Sequence, residues 1–157
     1  MKRSRARRPA LLIDTKLLTL FVVGTASPGY IHKHKRLSPY NRTDFDLLVD
    51  NVLRASAIIV TPNTLTEVSN WAKMIGEPAR SHVAATLSDV IGRFDERYVT
   101  SKVAALDADF SRLWLTDSGI LQELANGHIL WTSDSQLYVA ALQRGFPAVY
   151  FEDLRRL

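Results

Sequence analysis

The sequence predicts an α/β fold: a mainly parallel central sheet of four or five strands with helices on both faces. Three observations predict it. Short apolar runs of strand length recur along the chain. Stretches with the 3.6-residue period of amphipathic helices separate them, and Gly, Pro or Asn-Gly punctuation closes the units. Strands that alternate with helices pair in parallel, because each crossover returns the chain to the same end of the sheet, and such a sheet is covered on both faces.

The elements follow in order. Ala10 to Ile13 reads as a short buried strand ended by Asp14, and Thr15 to Val23 as a helix stopping near Gly24. Residues 24–43, rich in Gly, Pro, Ser and base, read as a loop. From Asp44, the residues Phe45, Leu48, Val49, Val52 and Leu53 recur at helical spacing. Ala57 to Val60 is a second strand, β-branched and closed by Thr61-Pro62. Leu65, Val68, Trp71, Ala72 and Ile75 share one helix face, which Gly76 and Pro78 end. The next helix covers residues 80–94, with Val83, Leu87, Val90, Ile91 and Phe94 on its apolar side. Val103, Leu106, Phe110 and Leu113 continue the helical period, while 97–100 reads equally as a turn or a short strand. Gly119 to Ala125 is helical and stopped by Asn126-Gly127, and Ile129 to Thr132 is a strand. Ser135 to Arg144 is a helix closed by Gly145, and Ala148 to Phe151 is the last strand. No repeat or linker divides the chain, so residues 10–157 read as one domain behind a basic arm at 1–9.

At 157 residues, with 46% apolar and 23% charged side chains, the chain has the size and composition of one globular domain. Cysteine is absent, which excludes a disulfide scaffold, a thiolate zinc site and a cysteine nucleophile. The net charge of +4 is unevenly spread. Residues 1–8 hold five bases, including Arg3, Arg5, Arg7 and Arg8, and no acid. Residues 31–42 hold Lys33, Lys35, Arg36 and Arg42, again with no acid. The remainder has 11 bases against 16 acids. Two basic segments therefore ride on an acidic body, a pattern that suits a phosphate backbone as well as plain solubility. The basic start followed by LLTLFVVG imitates a secretory signal, but Asp14 and Lys16 interrupt its apolar region. The expectation is a cytoplasmic protein with no membrane span.

In parallel sheets, sites form beyond the carboxyl ends of the strands. Asp14 follows the first strand at once, Glu67 lies one turn into the helix after the second, Asp134 stands two residues beyond the strand ending at Thr132, and Asp117 stands at another helix start. The order can gather all four at one edge. Grouped carboxylates repel one another unless a cation such as Mg²⁺ or Mn²⁺ neutralises them. A cation held there can promote phosphodiester hydrolysis. Each acid also has a capping role open to it. Thr64-x-x-Glu67 and Ser133-x-x-Gln136 fit the capping box, and Asp14 and Asp117 can each be an N-cap. Spacing alone does not separate four caps from a metal site.

The segments LLIDTKLLTLFVVG, VTPNTLTEVSNWA, LTDSGILQELA and ILWTSDSQLYVAALQRGFPAV stand in an order and spacing that resemble the PIN-domain nucleases, in particular the small bacterial toxins of toxin–antitoxin pairs. The resemblance runs from residue 10 to 151. It implies a PIN-like fold and a metal-dependent endoribonuclease, the toxin of such a pair, using Mg²⁺ or Mn²⁺ on RNA. Carried over by position, Asp14, Glu67, Asp117 and Asp134 are the implied catalytic residues and metal ligands, with Thr132 a hydroxyl beside the site. It also implies an antitoxin partner and a homodimer. Where the family usually has Asn or a small polar residue, this chain has Lys16, which can pair with a site acid, bind the scissile phosphate or face solvent. That departure supports an alternative: a PIN-like RNA-binding or assembly module without cleavage. In either reading Arg3, Arg5, Arg7, Arg8, Lys33, Lys35 and Arg36 are the candidate RNA contacts.

Other polar and aromatic residues read as structural. His32 and His34 belong to a solvated basic surface, and Asp107 and Asp109 to a solvated helix face. Trp71, Trp114 and Trp131 read as core. Tyr30 and Tyr40, set among bases, are the candidate stacking residues.

Overall fold

The computed structural model describes residues 8–157. Five strands form one parallel sheet: β1 (Ala10–Ile13), β2 (Ala57–Val60), β3 (Asp95–Glu96), β4 (Ile129–Thr132) and β5 (Ala148–Tyr150), in the order β3-β2-β1-β4-β5. Among the described residues eight α-helices accompany them: α1 (Thr15–Ala26), α2 (Arg42–Arg54), α3 (Pro62–Ala72), α4 (Ala79–Arg93), α5 (Ser101–Ala105), α6 (Phe110–Leu124), α7 (Ser135–Gln143) and α8 (Phe151–Leu154).

Side chains alternate across the pleat. On one face Leu11, Ile13, Ile58, Val60 and Trp131 join the apolar sides of α1 to α4. On the other, Leu12, Ile59 and Leu130 meet Leu113, Ile120, Leu121 and Leu124 of α6 and Leu137, Ala140 and Ala141 of α7. The α/β architecture expected from the sequence is thus present, with an all-parallel sheet covered on both faces. The strand order reverses direction at β1 and β4, which pair through Leu11–Ile129, Leu12–Leu130 and Ile13–Trp131. That switch point opens a crevice at the carboxyl ends of the two strands.

Several local readings change. Helix α1 runs through Gly24 to Ala26. Gly24 is a packing residue: a Cβ there would stand 2.3 Å from the Phe45 ring of α2. The basic loop is not merely solvated. Ile31, His34, Leu37 and Tyr40 are buried at three-residue intervals, while Lys33, Lys35 and Arg36 face outward between them. Residues 97–100 are neither strand nor turn, and the short strand β3 lies just before them at Asp95–Glu96. The supposed continuous period from Val103 to Leu113 is split between α5 and α6, leaving Leu106 84% exposed.

Asp107 and Asp109 do not form a solvated face. Arg144, just after α7, donates to both Asp107 oxygens, at 2.5 and 2.7 Å, and to Asp109 at 2.8 Å. This fork ties the turn before α6 to the end of α7. Asp107, with its side chain 1% exposed, is held down at about 2, first by the Arg144 hydrogen bonds. Among the described residues no helix is long and apolar enough to cross a membrane.

Candidate functional site

Asp14 leaves the end of β1 in extended conformation and caps α1, its Oδ1 accepting from the Leu17 amide at 2.8 Å. Its other oxygen faces β4. Oδ2 accepts from the Thr132 hydroxyl at 2.5 Å and the Ser133 amide at 2.8 Å. Thr132 is fully buried and its Oγ1 also accepts from the Asp134 amide at 2.9 Å. One hydroxyl therefore fastens the switch-point acid and the start of α7 together. Burial of Asp14 pushes its carboxyl above the usual range despite these donors.

Asp134 is itself the N-cap of α7, rather than a residue inside a capping box opened by Ser133. Its Oδ1 accepts from the amides of Gln136 at 2.8 Å and Leu137 at 3.0 Å. No donor among the described residues reaches its Oδ2.

Glu67 is not a capping residue. Thr61 caps α3 and Pro62 opens it, so Glu67 sits beyond the first turn. Its Oε2 accepts from the Thr15 hydroxyl at 2.9 Å and its Oε1 from the Thr116 hydroxyl at 2.6 Å. Two hydroxyls from different helices thus aim one carboxylate at the crevice. The pairing of Thr15 and Thr116 with Glu67 has no sequence signature, because the partners lie 52 and 49 positions away.

Asp117 lies in α6, three residues after a break at Trp114, where φ is 61°. The break makes residues 115–118 the first turn of a second helical segment, so the reading of Asp117 as a helix-start residue holds in that sense. It caps nothing. No donor among the described residues reaches its carboxylate. Burial, then the charges of Asp134, Asp14 and Glu67, push it up to about 7.

The four acids line one cavity of about 340 Å³ together with Thr15 and Ser133, and Lys16, Arg36 and Trp71 stand at its rim. Lys16 pairs with no acid among the described ion pairs. Its ammonium lies 5.2 Å from the centre of the Tyr40 ring. The Arg36 guanidinium covers the Trp71 ring at 4.2 Å. Tyr40 is core, 1% exposed, and donates to Glu152 Oε1 at 2.8 Å, so it offers no open face for stacking. Burial raises its phenol further above the usual range. His34 is buried beneath the same loop, with Nε2 3.4 Å from the Trp71 carbonyl and Nδ1 accepting from the Arg36 amide.

The remaining basic candidates lie elsewhere. Lys33 and Lys35 are exposed outside the cavity. Arg8 stands before β1, at the opposite end of the sheet, beside Asp95, Arg97 and His128. A four-residue strand, about 13 Å long, separates it from Asp14. Arg3, Arg5 and Arg7 lie outside the described residues.

The donor set is all carboxylate oxygen, which suits Mg²⁺ or Mn²⁺. Asp117 and Asp134 Oδ2 carry the uncommitted oxygens. As the side chains lie, no group of three His, Asp or Glu among the described residues stands ready-made to hold a metal ion. The fit therefore rests on donor chemistry and on the unpartnered, mutually repelling carboxylates. No protein-family model matches the chain, and no curated protein matches it.

Proposed function

We propose that the chain is a divalent-cation-dependent endoribonuclease. One observation carries the reading: four acids from four different parts of the chain line a single cavity, and Asp117, with no donor of its own, is pushed up to about 7 in their company. Such a cluster has no packing purpose, because it crowds like charges around one cavity, with Asp14 buried, Glu67 and Asp117 half-buried and Asp134 exposed. A bound Mg²⁺ or Mn²⁺ would neutralise these acids, draw charge from a phosphoryl oxygen and make water a better nucleophile.

The protein's own groups do the positioning. Thr132 and the Ser133 amide hold Asp14, and Thr15 and Thr116 hold Glu67, so these two carboxylates need little reorganisation when substrate arrives. Asp117 and Asp134 line the same cavity and retain oxygens that no donor among the described residues reaches. Lys16 and Arg36 at the rim supply positive charge for phosphates that would otherwise meet an acidic mouth. Within this reading the resemblance to small PIN-domain toxins extends the proposal to an antitoxin covering the same opening. The alternative, a binding module without cleavage, gains nothing from Lys16, whose ammonium lies against Tyr40 and not against an acid.

The test is cleavage of a mixed RNA pool by the purified protein in Mg²⁺, Mn²⁺ or EDTA, beside Asp14→Asn. Cleavage by the wild type alone, and only with cation, supports the reading. RNA binding without cleavage under every condition overturns it in favour of the binding module.

A further inference from the structure

Trp114 is the one non-glycine residue with positive φ among the described residues, at φ 61° and ψ −171°. That region suits glycine and strains a residue with a Cβ. Its side chain is 68% exposed. Just beyond it, the Ser118 hydroxyl is buried with no partner. A helical serine commonly bonds the carbonyl four residues back, which here belongs to Trp114 and has left helical geometry. Strain, an orphaned hydroxyl and a wet indole thus coincide at one break, and none of them helps folding. What the break does achieve is placement: it starts the segment that carries Thr116 to Glu67 and Asp117 into the cavity. Three residues of chain keep the Cα atoms of Trp114 and Asp117 within about 11 Å.

The chain has three tryptophans, and they divide cleanly. Trp131 is buried at 7% exposure, and Trp71 is capped by Arg36. Trp114 is the most exposed of the three, steadied by Phe110 with ring centres 6.2 Å apart. We propose that Trp114 is a base-stacking platform beside the acidic cavity, so that the site takes an unpaired base of a single-stranded polynucleotide. This rests on the nucleic-acid reading of the cavity. An indole is suited to the task because every base has a π-face and stacking tolerates sequence. Duplex bases are already stacked and have no face to give.

The test measures binding of labelled oligouridylate and oligothymidylate, and of an RNA duplex, in EDTA so that no cleavage occurs. Trp114→Ala is expected to bind both single strands roughly five- to a hundredfold more weakly, with duplex binding unchanged. Trp114→Phe restores most of the loss. The tighter of the two single strands identifies RNA or DNA as the source of the base. Thermal unfolding serves as the folding control, and Trp114→Gly, which relieves the strained φ, unfolds no earlier than the wild type. Loss of stacking-dependent binding in a protein that never cleaves would leave the platform standing and remove the nuclease. Cation-dependent cleavage with unaltered binding by Trp114→Ala would leave the nuclease and overturn the platform. Wild-type self-association abolished by Trp114→Ala, with oligonucleotide binding unchanged, would also overturn it and assign the indole to a protein interface.

Discussion

Thr132 donates its hydroxyl to Asp14 Oδ2 at 2.5 Å, joining residues 118 positions apart at the carboxyl ends of two neighbouring strands. The Thr132 Oγ1 in turn accepts from the Asp134 amide. Replacing Thr132 with valine keeps the shape and removes both roles. A hydrogen bond to a buried charged acceptor is worth about 2 kcal/mol. Thr132→Val is therefore expected to lower the urea unfolding free energy by about that amount and to impair cleavage, because Asp14 loses its clamp. Unchanged stability and unchanged cleavage would show that the Ser133 amide and Leu17 amide suffice.

The Arg144 fork sets an acid limb of stability. Its hydrogen bonds hold Asp107 at about 2, below the ordinary 3.8. A carboxyl depressed in the folded state contributes stability that is present above its unfolded value and is lost as pH falls through the folded one. Between pH about 5 and about 2 the wild type is expected to lose about 2 kcal/mol more than Asp107→Asn. Denaturant titrations of both proteins across that window measure the difference, and parallel curves would contradict it.

Lys16 and Arg36 are expected to touch phosphate at the rim of the cavity. Each contact to a single strand adds about 0.7 to the slope of log affinity against log salt. Lys16→Ala and Arg36→Ala should each bind RNA more weakly and flatten that slope by about 0.7. Weaker binding with an unchanged slope would instead mean lost packing on Tyr40 or Trp71.

Much of this arrangement is legible in the sequence, and for physical reasons. The strands Ala10–Ile13, Ala57–Val60 and Ile129–Thr132 fall where their apolar runs do, because a strand buried on both faces must be apolar throughout. Their alternation with helices brings Asp14, Glu67, Asp117 and Asp134 to one edge. Strand β3 escapes notice because Asp95 and Glu96 are charged and exposed, and only backbone pairing to β2 marks it. The packed loop escapes because its period is three, visible afterwards in Ile31, Leu37 and Tyr40. The exposure of Trp114 is hidden because an indole next to Leu113 and Leu115 looks like core until the backbone turns it out. Hydroxyl partners such as Thr15 and Thr116 leave no pattern, since they act across folded distance.

Under the proposed function the four acids repel one another until a divalent cation joins them, and Asp117 reports it. Its carboxyl stands at about 7 in the fold against an ordinary 3.8. A raised acid contributes stability below its unfolded value and loses it as pH climbs through the folded one. Near pH 8 without cation, the ionised Asp117 therefore burdens the wild type, whereas Asn carries no charge. The deciding measurement is the thermal unfolding of wild type and Asp117→Asn at that pH, in EDTA and in Mn²⁺. Asp117→Asn is expected to unfold at the higher temperature in EDTA. Mn²⁺ should raise the wild-type midpoint by binding the native state and leave the variant nearly unmoved. A Mn²⁺ shift absent from both proteins, or equal in both, would contradict the account.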